Sequence, residues 1–291
     1  MNAPAPKDER ITLSAEEFDA LAAIVHEVSG IVVSAGKSSM VHSRLWKRLR
    51  ALGKSDYSSY IAHLRSPEGV EERRHLVSAL TTNVTGFFRE NHHFETLRDQ
   101  VLPPLLARAR AGGRVRLWSA GCSTGAEAYS MAITIAQTAP DFANYDIRIL
   151  ATDIDPLMVA HGKEARFDLN AVAGLSEDLR TQFLIPAEND FQIIPALRSL
   201  VQFRELNLHD AWPMSGGFDV IFCRNVVIYF TPEARMRLWT RFESKLAPGG
   251  WMFMGHSERI PDLTQTRLDP AGITAYRLRA EDAATKATQC L

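Results

Sequence analysis

The segment WSAGCSTGAEAYS, residues 118–130, decides the fold. It starts at the end of a short apolar run, residues 115–119, turns through Gly121 and Gly125, and continues into a helical stretch at 126–139. In such a strand, turn and helix, glycine lets the backbone approach a ligand and the helix N-terminus offers unpaired N–H groups. The spacing matches neither GxGxxG nor GxxxxGK[ST], so phosphate binding has little support, and a plain turn and a ligand loop remain equal readings. Downstream the alternation continues: strands are predicted at 147–152, 200–204, 218–223 and 250–255, and helices at 156–164 and 232–246. Those two helices open on Asp155-Pro156 and Thr231-Pro232, which suit the N-cap and first helical positions. Alternating strands and helices predict an α/β fold, a parallel sheet covered by helices. Residues 183–198, with Pro186, Pro195 and an Asn189-Asp190 turn, fit a small hairpin inserted before the third strand.

Upstream the texture is helical. Ser14 and Glu17 form a capping box, Phe18, Leu21, Ile24, Val25 and Val28 recur at helical spacing, and Gly30 is a natural stop. Further helices are predicted at 37–52, with Met40, Val41, Leu45 and Leu49 as its apolar stripe, at 58–64 and at 70–80. They lead into TTNVTGFFRE, residues 81–90. The expected organisation is a helical domain at 1–80, a linker and the start of the site at 81–113, an α/β domain at 114–280 and a polar tail at 281–291.

The 291 residues are 46% hydrophobic and 23% charged, a composition that excludes disordered and low-complexity classes. The longest apolar run is six residues, 20–25, far short of the roughly 20 that span a membrane. The leading MNAPAPKDER lacks the apolar core of a secretory signal, so a frayed tail and a cytoplasmic protein are expected. Cys122, Cys223 and Cys290 are odd in number and without a CxxC pair, which points to reduced thiols. No metal-ligand spacing is present, and His256 and His92-His93 read as packing or surface residues. A net charge of −1 argues against global attraction to nucleic acid or anionic lipid. The expected form is a monomer that meets any charged partner through a local patch.

The second strand ends in ATDID, residues 151–155, which brings Asp153 to the carboxyl edge of the sheet. An acid there can accept both hydroxyls of a ribose, and the competing role of helix cap is better filled by Asp155. A ribose acid without a phosphate loop indicates a nucleoside lacking phosphates, of which S-adenosylmethionine is the common cofactor.

In order and spacing, TTNVTGFFRE, LWSAGCSTGAEAYSMAI, ATDIDPLMVAHGKEARF, FDVIFCRNVVIYF and PGGWMFMGHSE resemble the motifs of the bacterial chemoreceptor glutamate O-methyltransferases, the CheR family, across residues 14–278. The resemblance implies a Rossmann-like S-adenosylmethionine-dependent methyltransferase domain with a small antiparallel β-subdomain at about 183–199, preceded by an all-helical domain. It also implies methylation of glutamate carboxylates on the cytoplasmic helices of methyl-accepting chemoreceptors in chemotaxis adaptation, with S-adenosylhomocysteine as product. Carried over by position, the cofactor contacts fall on Asn83, Thr85, Arg89, Glu127, Asp153, Asn207, Leu208, Asn225 and Val226, with Gly121 in the turn. Glu127 reads equally as a first-turn acid favoured by the helix dipole. Asn83 and Thr85 could be a cap and a turn.

Glutamate is already ionised at neutral pH, so this chemistry needs orientation of the carboxylate and removal of its water rather than a general base. Arg89 and Tyr229 are the expected orienters, through a bidentate guanidinium and a single hydroxyl donor. Their alternatives are a surface ion pair with Glu90 and an aromatic core position. Six basic residues and no acid lie in 37–54, and with acidic receptor helices as substrate Arg44, Lys47, Arg48 and Arg50 become a docking face. Relatives that tether to a receptor's C-terminal pentapeptide carry a longer glycine-bearing loop where this chain has IPAENDFQIIP, residues 185–195, so no tether is expected. Phe167 stands where a tyrosine is common.

Rival readings are weaker. An enzyme methylating nucleic-acid amino groups would need Asn/Asp-Pro-Pro-aromatic where this chain has Asn225-Val226-Val227-Ile228. A cytosine C5 enzyme would need a nucleophilic cysteine, and Cys223 sits in an apolar strand. The remaining alternatives are a non-catalytic S-adenosylmethionine-binding scaffold or a methyltransferase of a non-motility signalling pathway.

Overall fold

The computed structural model describes residues 11–280; both expected tails, and Cys290 with them, lie outside the described residues. The chain divides into two compact units, Met1–Thr82 and Asn83–Leu291.

Among the described residues of the first unit, four α-helices, Ala15–Ser29, Ser38–Ala51, Tyr57–Arg65 and Val70–Leu80, build the core. The Ser14–Glu17 capping box is formed in both directions, and Gly30 closes the first helix with φ +72°. Phe18, Leu21 and Val25 meet Val41, Leu45, Leu49, Tyr60 and Leu76 in one apolar core. Two of the four expected docking residues have internal duties. Arg48 Nε and Nη2 clasp Glu72, which is 4% exposed, at 2.6–2.9 Å, and the Tyr60 hydroxyl donates to the same carboxylate at 2.8 Å. Arg44 Nη1 donates to the carbonyls of Ala79 and Thr81 and so closes the end of the fourth helix. Lys47 and Arg50 are exposed and flank the Trp46 ring at 6.0 and 5.3 Å.

Among the described residues the second unit holds ten strands: β1 Val115–Ala120, β2 Ile147–Asp153, β3 Arg166–Asp168, β4 Leu184–Pro186, β5 Asp190–Ile193, β6 Val201–Glu205, β7 Phe218–Cys223, β8 Leu246–Met254, β9 Leu268–Gly272 and β10 Ala275–Leu278. Seven form a sheet in the order β6-β2-β1-β7-β8-β10-β9, parallel from β6 to β8 and antiparallel through β10 and β9. The central strand β7, FDVIFC, is buried along its whole length, as expected of a parallel strand covered on both faces. Among the described residues no helix is long and apolar enough to cross a membrane.

Three expectations change. The segment read as a linker, 81–113, contains the helices His92–Thr96 and Leu102–Arg110 joined by a π turn. Its Phe94, Leu97, Val101 and Leu106 share a core with Leu117 and Phe222 of the sheet. Prolines at the start of the second helix look like a break in sequence, yet a first helical turn tolerates the missing N–H. Secondly, the small sheet is not a lone hairpin at 183–199. It has the order β3-β5-β4 and begins at Arg166, whose guanidinium pairs both oxygens of Asp190 at 2.9 Å. A three-residue strand is too short to show alternation. Thirdly, β9 and β10 form a hairpin that the strand pattern did not reveal. Phe167 is buried against Phe87 and Tyr129, an apolar setting that a phenyl ring satisfies without a hydroxyl partner.

Candidate active site

From β1 the chain steps outward to β2 and then β6, and returns to the other side of β1 for β7. That reversal opens a crevice at the carboxyl ends of β1 and β7, where open α/β sheets bind ligands. Gly121 sits there with φ +81°, and a Cβ on it would lie 2.3 Å from Val226 Cγ2. Only glycine leaves that opening. Gly125, with φ +92°, starts the helix Ala126–Thr138.

Asp153 ends β2 and is 7% exposed. Its Oδ2 accepts from Ser123 N at 2.7 Å and its Oδ1 from Asp155 N at 3.0 Å. Burial pushes its carboxyl up to about 6, against the main-chain hydrogen bonds from Asp155 and Ser123. Asp155 caps the following helix through Leu157 N at 2.9 Å, which keeps the two acids in separate roles. Asn83 Nδ2 donates to Asp155 Oδ2 at 2.9 Å, and its carbonyl accepts from Ser123 Oγ at 3.0 Å. Ser123, with φ +50°, thus joins Asp153 to Asn83 at this edge, and the glycine spacing did not flag it. Beyond β6, Leu206 N bonds Asp153 O at 2.9 Å and Asn207 Oδ1 accepts from His209 N at 3.0 Å, which sets Asn207 and Leu208 beside the end of β2. Thr85 is half-buried in the extended segment before the turn that begins at Phe87.

Arg224 organises the opposite wall. It is 6% exposed, lies over the Phe94 and Phe222 rings, and pairs Glu127 Oε2 at 3.2 Å and Glu90 Oε2 at 3.3 Å. It also donates to the carbonyl of Arg89, so the turn bearing Arg89 and the loop bearing Asn225, Val226 and Tyr229 are joined. Glu127 accepts from Ser119 Oγ at 2.7 Å. Burial raises its carboxyl while Arg224 and Ser119 oppose that rise. Burial works against the charge of Glu90 too, but Arg224 and His256 outweigh it and hold Glu90 down to about 2. Arg89 itself donates from Nη1 to Val84 O at 2.8 Å, so the expected alternative of an Arg89–Glu90 pair gives way to Arg224–Glu90.

Glu90, His92 and His93 bring ligand-type atoms within 4.8 Å of one another. The Arg224 guanidinium already takes the place beside Glu90 that a cation would fill, and burial together with Arg224 and His92 pushes His93 down to about 3. Cys223 is fully buried, and burial raises its thiol well above the ordinary value, which removes it as a nucleophile. Sequence reasoning missed Arg224 because it lies within an apolar run, and the only local signal was a charge where burial was expected.

Two family models match the chain: CheR methyltransferase, all-alpha domain, over residues 16–81, and CheR methyltransferase, SAM binding domain, over residues 83–276. The chain is 46% identical over 268 residues to a probable chemotaxis protein methyltransferase of Rhizobium etli, covering 91% of this chain and 100% of that protein. Chemotaxis protein methyltransferase 2 of Pseudomonas aeruginosa is 37% identical, over 84% of this chain and 87% of its own. The chemotaxis protein methyltransferase of Salmonella typhimurium is 35% identical over 94% of each chain. Residues 83–276, which include the crevice at the β1–β7 reversal, match the family's S-adenosylmethionine-binding domain, and the chain belongs to the CheR methyltransferase family.

Proposed function

We propose that this protein transfers the methyl group of S-adenosylmethionine to glutamate side-chain carboxylates on chemoreceptor cytoplasmic helices, giving glutamyl methyl esters. The supporting observation is that Arg224 ties the Arg89 turn to the Asn225–Tyr229 loop on the same sheet edge that carries Asp153 and the Gly121 opening. The residues present fit the cofactor: a buried carboxylate suits a ribose diol, and the glycine opening leaves room for close backbone approach. Asp153 would hold the ribose, Asn207 and Leu208 the base, and Asn83, Thr85, Glu127, Asn225 and Val226 the remainder. When bound, the cofactor supplies an activated methyl group on a sulfonium.

Arg89 grips the substrate carboxylate by paired N–H donors and Tyr229 adds one hydroxyl donor, which fixes one oxygen for in-line attack. No residue has to remove a proton, because the nucleophile with an ordinary pKa of about 4.3 arrives ionised. Transfer of labelled methyl to receptor as an alkali-labile ester tests the proposal.

Ribose binding requires Asp153 ionised, and its carboxyl in the free protein stands at about 6. Affinity for S-adenosylhomocysteine should therefore be full above pH 7 and fall as pH drops through 6, and Asp153→Asn should weaken binding and flatten that dependence. Calorimetry from pH 5 to 8 checks it, and a flat wild-type profile would remove Asp153 from the ribose.

For docking, Lys47 and Arg50 are the cations to test, since Arg48 and Arg44 hold the helical unit together. The pair Lys47→Ala with Arg50→Ala should raise the receptor KM several-fold at low salt, roughly as loss of two rim charges predicts, and leave cofactor affinity unchanged. An unchanged KM would make the face merely solvated.

The β4–β5 turn is closed tightly by Ala187 N on Asp190 O at 2.8 Å, which supports recognition without a C-terminal tether. Titration with receptor C-terminal peptides should give no binding in the micromolar range, and micromolar affinity would overturn that part.

A further inference from the structure

Glu258 is 2% exposed and lies in the turn that follows β8, with its own N–H on Gly255 O at 2.8 Å. Its carboxylate accepts four main-chain N–H groups. Oε2 takes Asn225 N and Gly255 N, both at 2.8 Å, and Oε1 takes Val227 N at 2.8 Å and Ile228 N at 3.3 Å. Three of those donors belong to the loop that carries Asn225, Val226 and Tyr229. In that loop Asn225 has φ +60°, a left-handed conformation that asparagine adopts more readily than other non-glycine residues, and Val227–Tyr229 is a single 3₁₀ turn. Successive main-chain N–H groups converging on one anion fix the peptide planes between them. The fit is close, since a Cβ on Gly255 would lie 2.6 Å from Asn225 Nδ2 and 2.9 Å from Glu258 Oε2.

We propose that Glu258 is a positioning residue for methyl transfer: as an internal anion it holds Asn225 and Val226 against the cofactor and sets the reach of Tyr229 toward the substrate carboxylate. This rests on the reading above that the 224–229 loop lines the reacting centre. A carboxylate is required because each of its oxygens accepts two N–H groups. A glutamine would place its NH₂ against one of those pairs, leave two main-chain donors without their acceptor, and let the loop relax.

The test compares the full-length wild-type protein with Glu258→Gln at a temperature where circular dichroism shows both folded. A residue that only stabilises the fold would lower the melting temperature and leave kcat and ligand affinity intact. A positioning residue should weaken S-adenosylhomocysteine binding by about tenfold or more and lower kcat by a larger factor, with the receptor KM changed far less. Should Glu258→Gln fail to fold, Gly255→Ala answers the same question, since its methyl group presses on Asn225 and Glu258 from beneath. Wild-type affinity and kcat in a folded variant would overturn the proposal. If the wild-type protein binds the ligand but methylates no receptor, the substrate reading fails, while the affinity comparison still decides the role of Glu258.

Discussion

Replacing Arg224 with methionine should destabilise the protein by about 3–5 kcal/mol, because it strands the buried Glu127 and the half-buried Glu90, which now share one guanidinium. The methionine would be packed by Phe94 and Phe222, so the loss is one of charge compensation more than of volume. The pH dependence separates the two. Burial raises Glu90 and Arg224 with His256 lowers it, leaving it at about 2 in the folded protein. A depressed carboxyl stabilises the fold fully above its unfolded value of about 4.3, and the contribution is lost as pH falls through the folded one. The penalty of Arg224→Met should thus be largest near neutrality and shrink between pH 4.5 and about 2. Adding Glu127→Gln should recover part of it. Denaturant unfolding at pH 7 and at acid pH measures both, and a loss below about 1 kcal/mol at pH 7, as for an exposed pair, would contradict the account.

The second large effect concerns Arg89. Arg89→Ala should lower kcat/KM for receptor by about 10²–10³, the range seen when one preorganised donor is removed from a reacting oxygen. Cofactor affinity should fall by far less, since Asp153 and the Gly121 opening remain. Arg89→Lys should recover little, because an ammonium lacks the planar fork that grips both carboxylate oxygens. Steady-state kinetics with purified receptor give the answer, and a change in kcat/KM within threefold for Arg89→Ala would take Arg89 out of the reacting centre.

Legibility in the sequence followed length and chemistry. Long amphipathic helices were readable because burial recurs every turn, and Val70–Leu80 and Pro156–Glu164 have the predicted limits. The buried strand β7 likewise matches residue for residue. Arg166–Asp168 was not readable, being three residues held in place by a partner far along the chain. The places of Asp153 and Gly121 in the fold could be read because strand ends and glycine turns are local signals. Arg224, Glu258 and Ser123 could not: each acts on an element distant in sequence, and a charge inside an apolar stretch does not say which groups will surround it. The basic helix shows the opposite error. Six cations and no acid across residues 37–54 look like one surface, whereas Arg48 spends its charge on the buried Glu72.

The most direct test of the central claim is incubation of the purified protein with methyl-labelled S-adenosylmethionine and receptor. The account predicts label in the receptor that mild alkali releases as methanol, as a glutamyl ester requires, and no label once the accepting glutamates are changed to alanine. Absence of label, or label that survives alkali, would contradict it.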